Sequence, residues 1–124
     1  IDAPCTATGT MRRHPDIART KRSDDVLRLA ELQKSMLEKA IKNLLPGAIL
    51  VYSVCSLQPE EGPDVVAAVM AKHGDIKRLS IDPTIFGLPK AAVTDKGDIR
   101  TLPCHFADHG GMDGFFIALL QRPL

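Results

Sequence analysis

Two cysteines stand where a sulfur can do covalent chemistry. Cys5 ends the opening "IDAPC", just after Asp2, and Cys55 lies in "YSVCSLQPEE", where an apolar run gives way to a proline and two glutamates. In open α/β sheets, ligands bind outside the carboxyl ends of the strands. Each cysteine follows a strand end in this reading. On neighbouring strands about 4.8 Å apart, two thiols and the Asp2 carboxylate would share one rim. A thiolate there is a nucleophile, and covalent catalysis splits one hard transfer into easier steps. The competing reading is a pair of small core residues, since free cysteine is among the most buried residue types. Spacing alone leaves both open.

Other residues offer weaker chemistry. Arg12, Arg13 and His14 belong to a basic cluster with Arg19, Lys21 and Arg22. They fit phosphate contacts or, equally, a solvated loop. Cys104-His105 with His109 supplies one thiol and two imidazoles but no fourth ligand, so no metal site is expected. Gly110-Gly111 and Gly114 read as turn residues, because no helix follows to make a phosphate cradle.

The elements that must position these groups follow from periodicity. Residues 1–2 look like the end of a strand, turned at Pro4. Residues 3–23 form a long irregular segment broken by Pro4, Gly9 and Pro15, and a loop this long is usually functional or disordered. Ser23 or Asp24 can cap a helix running to about Leu45. Along it Val26, Leu29, Ala30, Gln33, Met36, Leu37, Ala40, Ile41 and Leu44 recur at helical steps and form one stripe. Pro46-Gly47 ends it. "AILVYSV" (48–54) is continuously apolar, the look of a strand covered on both faces of a parallel sheet. Gly62-Pro63-Asp64 opens a second helix that stops at Gly74. "IKRLSI" (76–81) is a short strand, 82–114 is loop-rich with "RTLPCHF" partly extended, and "GFFIALLQR" (114–122) is a final strand. The last two strands, joined without a helix, can pair antiparallel. The class is α/β with an open sheet.

A chain of 124 residues suits one domain, 1–124, with a workable core. A formal net charge of +1 neither demands nor excludes a nucleic-acid partner. No apolar run approaches the ~18–20 residues of a membrane span. Three cysteines without CxxC spacing disfavour a disulfide scaffold and suit a reducing, cytoplasmic setting.

"DAPCTATGTMRRHPD" together with "LVYSVCSLQPEE" resembles the Sun (Fmu) family of RNA cytosine-5 methyltransferases. The resemblance extends through "LAELQKSML" and the terminal "DGFFIALL". It implies the C-terminal half of a class I, Rossmann-like methyltransferase sheet that uses S-adenosylmethionine and acts on RNA, with ribosomal RNA the expected substrate. Residue by residue, it implies Cys55 as nucleophile, Cys5 as an aid to product release, and Asp2 beside the cofactor and target base. Ser53-Val54 departs from the family's usual alanine-threonine, and Gly62 from its asparagine. Thiolate addition at carbon 6 of cytosine makes carbon 5 nucleophilic, and the base must be unstacked to be reached. A helix start after Cys55 would favour its thiolate, whereas Glu60 and Glu61 would oppose it.

The glycine-rich turn and ribose-binding acid of a cofactor site are not among these residues. A partial catalytic domain, inactive alone, is therefore expected, with self-association through the exposed edge of the 48–54 strand. Three alternatives remain. A DNA cytosine-5 methyltransferase would use Cys5 as nucleophile, a non-catalytic module would only bind RNA, and a thiol redox protein would use the cysteines as a couple.

Overall fold

The computed structural model describes residues 1–124. A four-stranded sheet is backed by two helices on one face. The strands are β1 (Ile49–Val54), β2 (Lys77–Leu79), β3 (Ile99–Arg100) and β4 (Phe116–Gln121), and the helices are α1 (Ile17–Thr20), α2 (Ser23–Asn43) and α3 (Pro63–Lys72). β4 is central. It pairs antiparallel with β1 along one edge, and with β2 and β3 at different heights along the other. β2 and β4 are therefore antiparallel neighbours, as their helix-free connection predicts.

The opening residues extend the sheet beyond β1. Asp2 bridges Ser53 in parallel, Ser53 N–H donates to Ile1 O at 2.8 Å, and Ala3 N–H donates to Ser53 O at 2.9 Å. The expected neighbouring strand ends are thus real, and they carry Cys5 and Cys55 off the sheet on the same side.

α2 forms where the stripe predicts. Leu29, Ala30, Gln33, Leu37 and Ile41 are buried. Its start differs from the expectation: Ser23 is already helical, and the flanking Arg22 N–H donates to Asp25 Oδ2 at 3.0 Å. An acid in the first turn, rather than a serine before it, satisfies one orphan donor. α3 has Pro63 in its first turn, where the missing N–H costs nothing.

The core lies between these helices and one sheet face. Leu37, Ile41, Val65, Val66 and Val69 pack on Leu50, Tyr52, Val54, Phe116, Ala118 and Leu120. Each large aliphatic side chain removed from water contributes roughly 1.5–3 kcal/mol before entropy is counted.

β1 is not covered on both faces. Leu50, Tyr52 and Val54 are buried, but Ile49 and Val51 remain 52% and 46% exposed. Both helices sit on one side, so the other side meets only the long connection after β2. There Val51, Ile117 and Leu119 line an open apolar groove of about 490 Å³ with Phe86, Ile99 and Met112. The expected parallel setting also holds only for the three-residue opening segment, because β4 runs antiparallel. No helix is long and apolar enough to cross a membrane.

Candidate active site

The rim beyond the stub and β1 brings the two cysteines together. Cys5 Sγ and Cys55 Sγ are 3.5 Å apart, both half-buried and both free thiols. Asp2 stands exposed at the same strand end, its only side-chain partner Ser53 Oγ at 3.5 Å. α3 does not begin until Pro63, with a short 3-10 turn before it, so Cys55 is not in the first turn of a helix.

Main-chain and hydroxyl contacts lock the two cysteine loops. Gly9 N–H donates to Cys55 O at 2.9 Å, and Leu57 N–H donates to Thr8 Oγ1 at 2.9 Å. Ala7 adopts φ 58°, a left-handed conformation that alanine rarely takes. Arg100, from β3, donates through Nη1 to Ser56 O at 2.6 Å while its guanidinium lies 5.3 Å from the Phe116 ring centre.

Glu61 carries more of this site than the sequence suggests. Glu60 is exposed, but Glu61 is fully buried. Its Oε1 accepts from Thr6 N–H at 2.9 Å and Gln33 Nε2 at 3.3 Å, and its Oε2 from Thr6 Oγ1 and Ser56 Oγ, both at 2.5 Å. Tyr52 OH, also buried, donates to Glu61 O at 2.7 Å. Gln33 Nε2 reaches Pro4 O at 2.8 Å as well.

Burial pushes the Cys5 thiol up to about 12, with the neighbouring Cys55 and Glu61 adding to the effect and the Ala7 amide opposing it. Cys5 is therefore protonated near neutral pH. Burial also raises the Tyr52 phenol, which stays a hydrogen-bond donor.

The basic cluster is divided. Arg12 Nε and Arg13 Nη2 both bind Asp113, at 3.0 and 2.5 Å, and Arg12 Nη1 donates to Gly110 O at 3.3 Å. These two arginines tie the first loop to the turn before β4. His14 is exposed and makes no side-chain hydrogen bond, and Lys21 and Arg22 form no ion pair. Lys21 and Arg22 line a cleft of about 420 Å³ with Thr6, Thr8, Gln58 and Glu60, against the same two loops. No cluster of three or more histidine, cysteine or acidic side chains is placed to hold a metal. His105 Nδ1 instead accepts from Leu102 N–H at 3.2 Å.

Two thiols in contact at the strand-end rim of a helix-backed sheet are of the residue type that covalent group transfer uses. The chain belongs to the family described as 16S rRNA methyltransferase RsmB/F, whose sequence model matches residues 1–121. It is 39% identical over 122 residues to ribosomal RNA small subunit methyltransferase B of Thermus thermophilus, covering 98% of this chain and 28% of that protein. It is 40% identical over 122 residues to the methyltransferase B of Pseudomonas syringae pv. tomato, covering 98% and 26%. The chain thus spans about a quarter of the length of these relatives. Among solved structures, NSun6 from Pyrococcus horikoshii with SFG superposes with a TM-score of 0.75 at 28% identity, over 98% of this chain and 29% of that one. A methyltransferase homologue from the same organism gives a TM-score of 0.69 at 33% identity, over 100% and 38%. The fold is a portion of the Rossmann-like methyltransferase architecture.

Proposed function

We propose that the protein containing this chain methylates carbon 5 of a cytosine in ribosomal RNA, with Cys55 as the covalent nucleophile and Cys5 as its partner in release. The observation that carries this reading is the 3.5 Å contact between the two thiols. Cys55 sulfur adds to carbon 6 of the target ring and makes carbon 5 electron-rich. Once carbon 5 carries the methyl group, a base takes its proton, the carbon–sulfur bond breaks and the Cys55 thiolate departs. A neutral thiol 3.5 Å away donates a hydrogen bond to that leaving sulfur, and Cys5, held protonated by burial, suits the task. The same burial weighs against Cys5 as nucleophile, the assignment a DNA-type enzyme would require.

S-adenosylmethionine, when bound, supplies the methyl group. Asp2 fits its neighbourhood, because an exposed carboxylate with one long contact has lone pairs left for a donor. The related NSun6 structure holds SFG, an analogue of this cofactor, in keeping with the reading. For RNA, Lys21 and Arg22 in the cleft and the exposed His14 supply groups for backbone phosphates. Arg12 and Arg13 bring a net positive charge even when shared with Asp113. A cytoplasmic setting accords with free thiols.

Alanine variants of the full-length enzyme test the two thiols on a denaturing gel. Cys55→Ala should abolish both methyl transfer and the protein–RNA adduct, whereas Cys5→Ala should let the adduct accumulate. The reverse pattern would transfer the nucleophile's role to Cys5, and equal mild effects would make both cysteines structural.

A further inference from the structure

We infer that Glu61 is a positioning residue that fixes the two sulfurs relative to each other, by holding with one carboxylate the residue that follows each cysteine. Thr6 follows Cys5, and Ser56 follows Cys55. Thr6 offers Glu61 both its N–H and its hydroxyl, Ser56 offers its hydroxyl, and the two hydroxyls meet on the same oxygen at 2.5 Å. The loops come from distant parts of the sequence, their two cysteines lying 50 residues apart. They converge on a group that no water reaches, since Glu61, Thr6 and Ser56 are all 0% exposed.

The carboxylate is itself immobilised from behind. Gln33 of α2 donates to Oε1, and the Tyr52 hydroxyl of β1 donates to the Glu61 carbonyl. Four donors on two oxygens make a fully satisfied acceptor, and hydrogen bonds to a charged group are about twice as strong as neutral ones. Buried satisfied networks of this kind rigidify what they hold. Glu61 touches neither sulfur within hydrogen-bonding distance, so its action on the thiols runs through Thr6 and Ser56.

This inference rests on the proposed division of labour between Cys55 and Cys5, but its first test does not. In the full-length enzyme, diamide oxidises two neighbouring thiols to a disulfide and is itself reduced to the hydrazine. The Cys5–Cys55 linkage is then followed by peptide mass spectrometry. Glu61→Ala should slow this linkage at least ~10-fold, because a shift of about 1 Å in reacting groups costs up to ~100-fold. Glu61→Gln should recover most of the rate. Its amide oxygen can face Thr6 N–H and Gln33, while its NH₂ donates to the two hydroxyls turned round as acceptors. Thr6→Val and Ser56→Ala, each removing one strut, provide milder variants should Glu61→Ala fail to fold.

The second readout separates the two cysteines. Ser56→Ala should slow formation of the RNA adduct, Thr6→Val should slow its breakdown, and KM for RNA should stay within about twofold for both. Linkage rates equal to wild type in folded Glu61→Ala, or in both strut variants, would overturn the inference. Loss of melting temperature without these changes would reduce Glu61 to a structural residue and also overturn it. A wild-type enzyme that forms no RNA adduct, yet shows the linkage effects, would instead refute the proposed roles of the thiols and leave the positioning intact.

Discussion

Gly9→Ala should separate the first loop from the sheet end and disable the site. A Cβ on Gly9 would stand 1.9 Å from Gly114 O, 2.7 Å from Gly114 C and 2.9 Å from Cys55 O. All three are backbone atoms, so no side chain can swing away. Ordinary contact begins at 3.4 Å, which requires a retreat of about 1.5 Å on the Gly114 side. The segments involved hold each other through Gly9 N–H to Cys55 O at 2.9 Å and Gly114 N–H to Gly9 O at 2.8 Å. A 1.5 Å retreat breaks the second of these and strains the first. The lost bond costs about 1 kcal/mol, and a buried group left unpaired about 1–3 kcal/mol, for a total of about 2–4 kcal/mol. That is a large share of a typical stability of about 5–15 kcal/mol. Urea unfolding followed by circular dichroism measures it. Gly74→Ala is the control, since a Cβ there meets nothing within 4 Å, and it should be neutral or stabilising by about 0.4–1 kcal/mol. Because Cys55 O is one of the displaced atoms, adduct formation by full-length Gly9→Ala should fall roughly 100-fold if it folds. Stability within about 1 kcal/mol of wild type together with unchanged adduct formation would refute the reasoning.

Hydrogen bonding from Arg13, joined by Arg12, holds the Asp113 carboxyl below the usual carboxylate range. A depressed folded value contributes stability above the unfolded value of about 4 and loses it as pH falls through the folded one. The stability advantage of wild type over Asp113→Asn should thus be full at neutral pH and vanish in acid, as urea unfolding across the pH range would reveal; a constant advantage would contradict it. With its thiol pushed up to about 12 and half-buried, Cys5 should react with iodoacetamide at neutral pH at least ~10-fold more slowly than exposed Cys104. Equal labelling by mass spectrometry would count against this. The isolated 124-residue chain should self-associate through its uncovered sheet face and β1 edge, and Val51→Lys should suppress it. Sedimentation of a monodisperse wild-type monomer at high concentration would sink that expectation.

Sequence periodicity reveals what is local. The stripe of α2 translates directly into a buried face, whereas the apolar run of β4 marks a strand without telling buried Phe116, Ala118 and Leu120 from half-buried Ile117 and Leu119. The strand-end rule brings Cys5 and Cys55 to one rim, although spacing alone could not choose between chemistry and core. Pattern could not say which body covers each face of β1, because an apolar run records that a side chain avoids water and not what stands against it. Glu61 escaped for a related reason. Two glutamates after a proline look like a solvated turn, and the donors that distinguish them come from Thr6 and Gln33, far along the chain. One signal was available: Gln33 is a polar residue in the middle of an apolar helix stripe, and a buried amide needs partners. The Asp113 pairing of Arg12 and Arg13 spans about a hundred residues and left no trace in local sequence.

Two cysteines are chemically identical, so a reaction that gives them different tasks must distinguish them by surroundings. Here the distinction is made on the Cys5 side. Burial disfavours its charged form, and the negative charges of Glu61 and of Cys55 itself add to the effect. The Coulombic part links the sulfurs, since negative charge on Cys55 disfavours charge on Cys5. Such a coupling is useful only while the sulfurs stay in contact. That requirement accounts for the redundancy of the scaffold, in which Gly9, Thr8, Glu61 and Arg100 each bind the Cys55–Leu57 segment from a different direction. Arg100 adds a second constraint. Burial lowers the affinity of its guanidinium for its proton, yet Ser56 O and the Phe116 ring face keep the cation in place. A neutral replacement such as Arg100→Leu would fill the space and lose the bond to Ser56 O, removing one of the four constraints on the segment after Cys55.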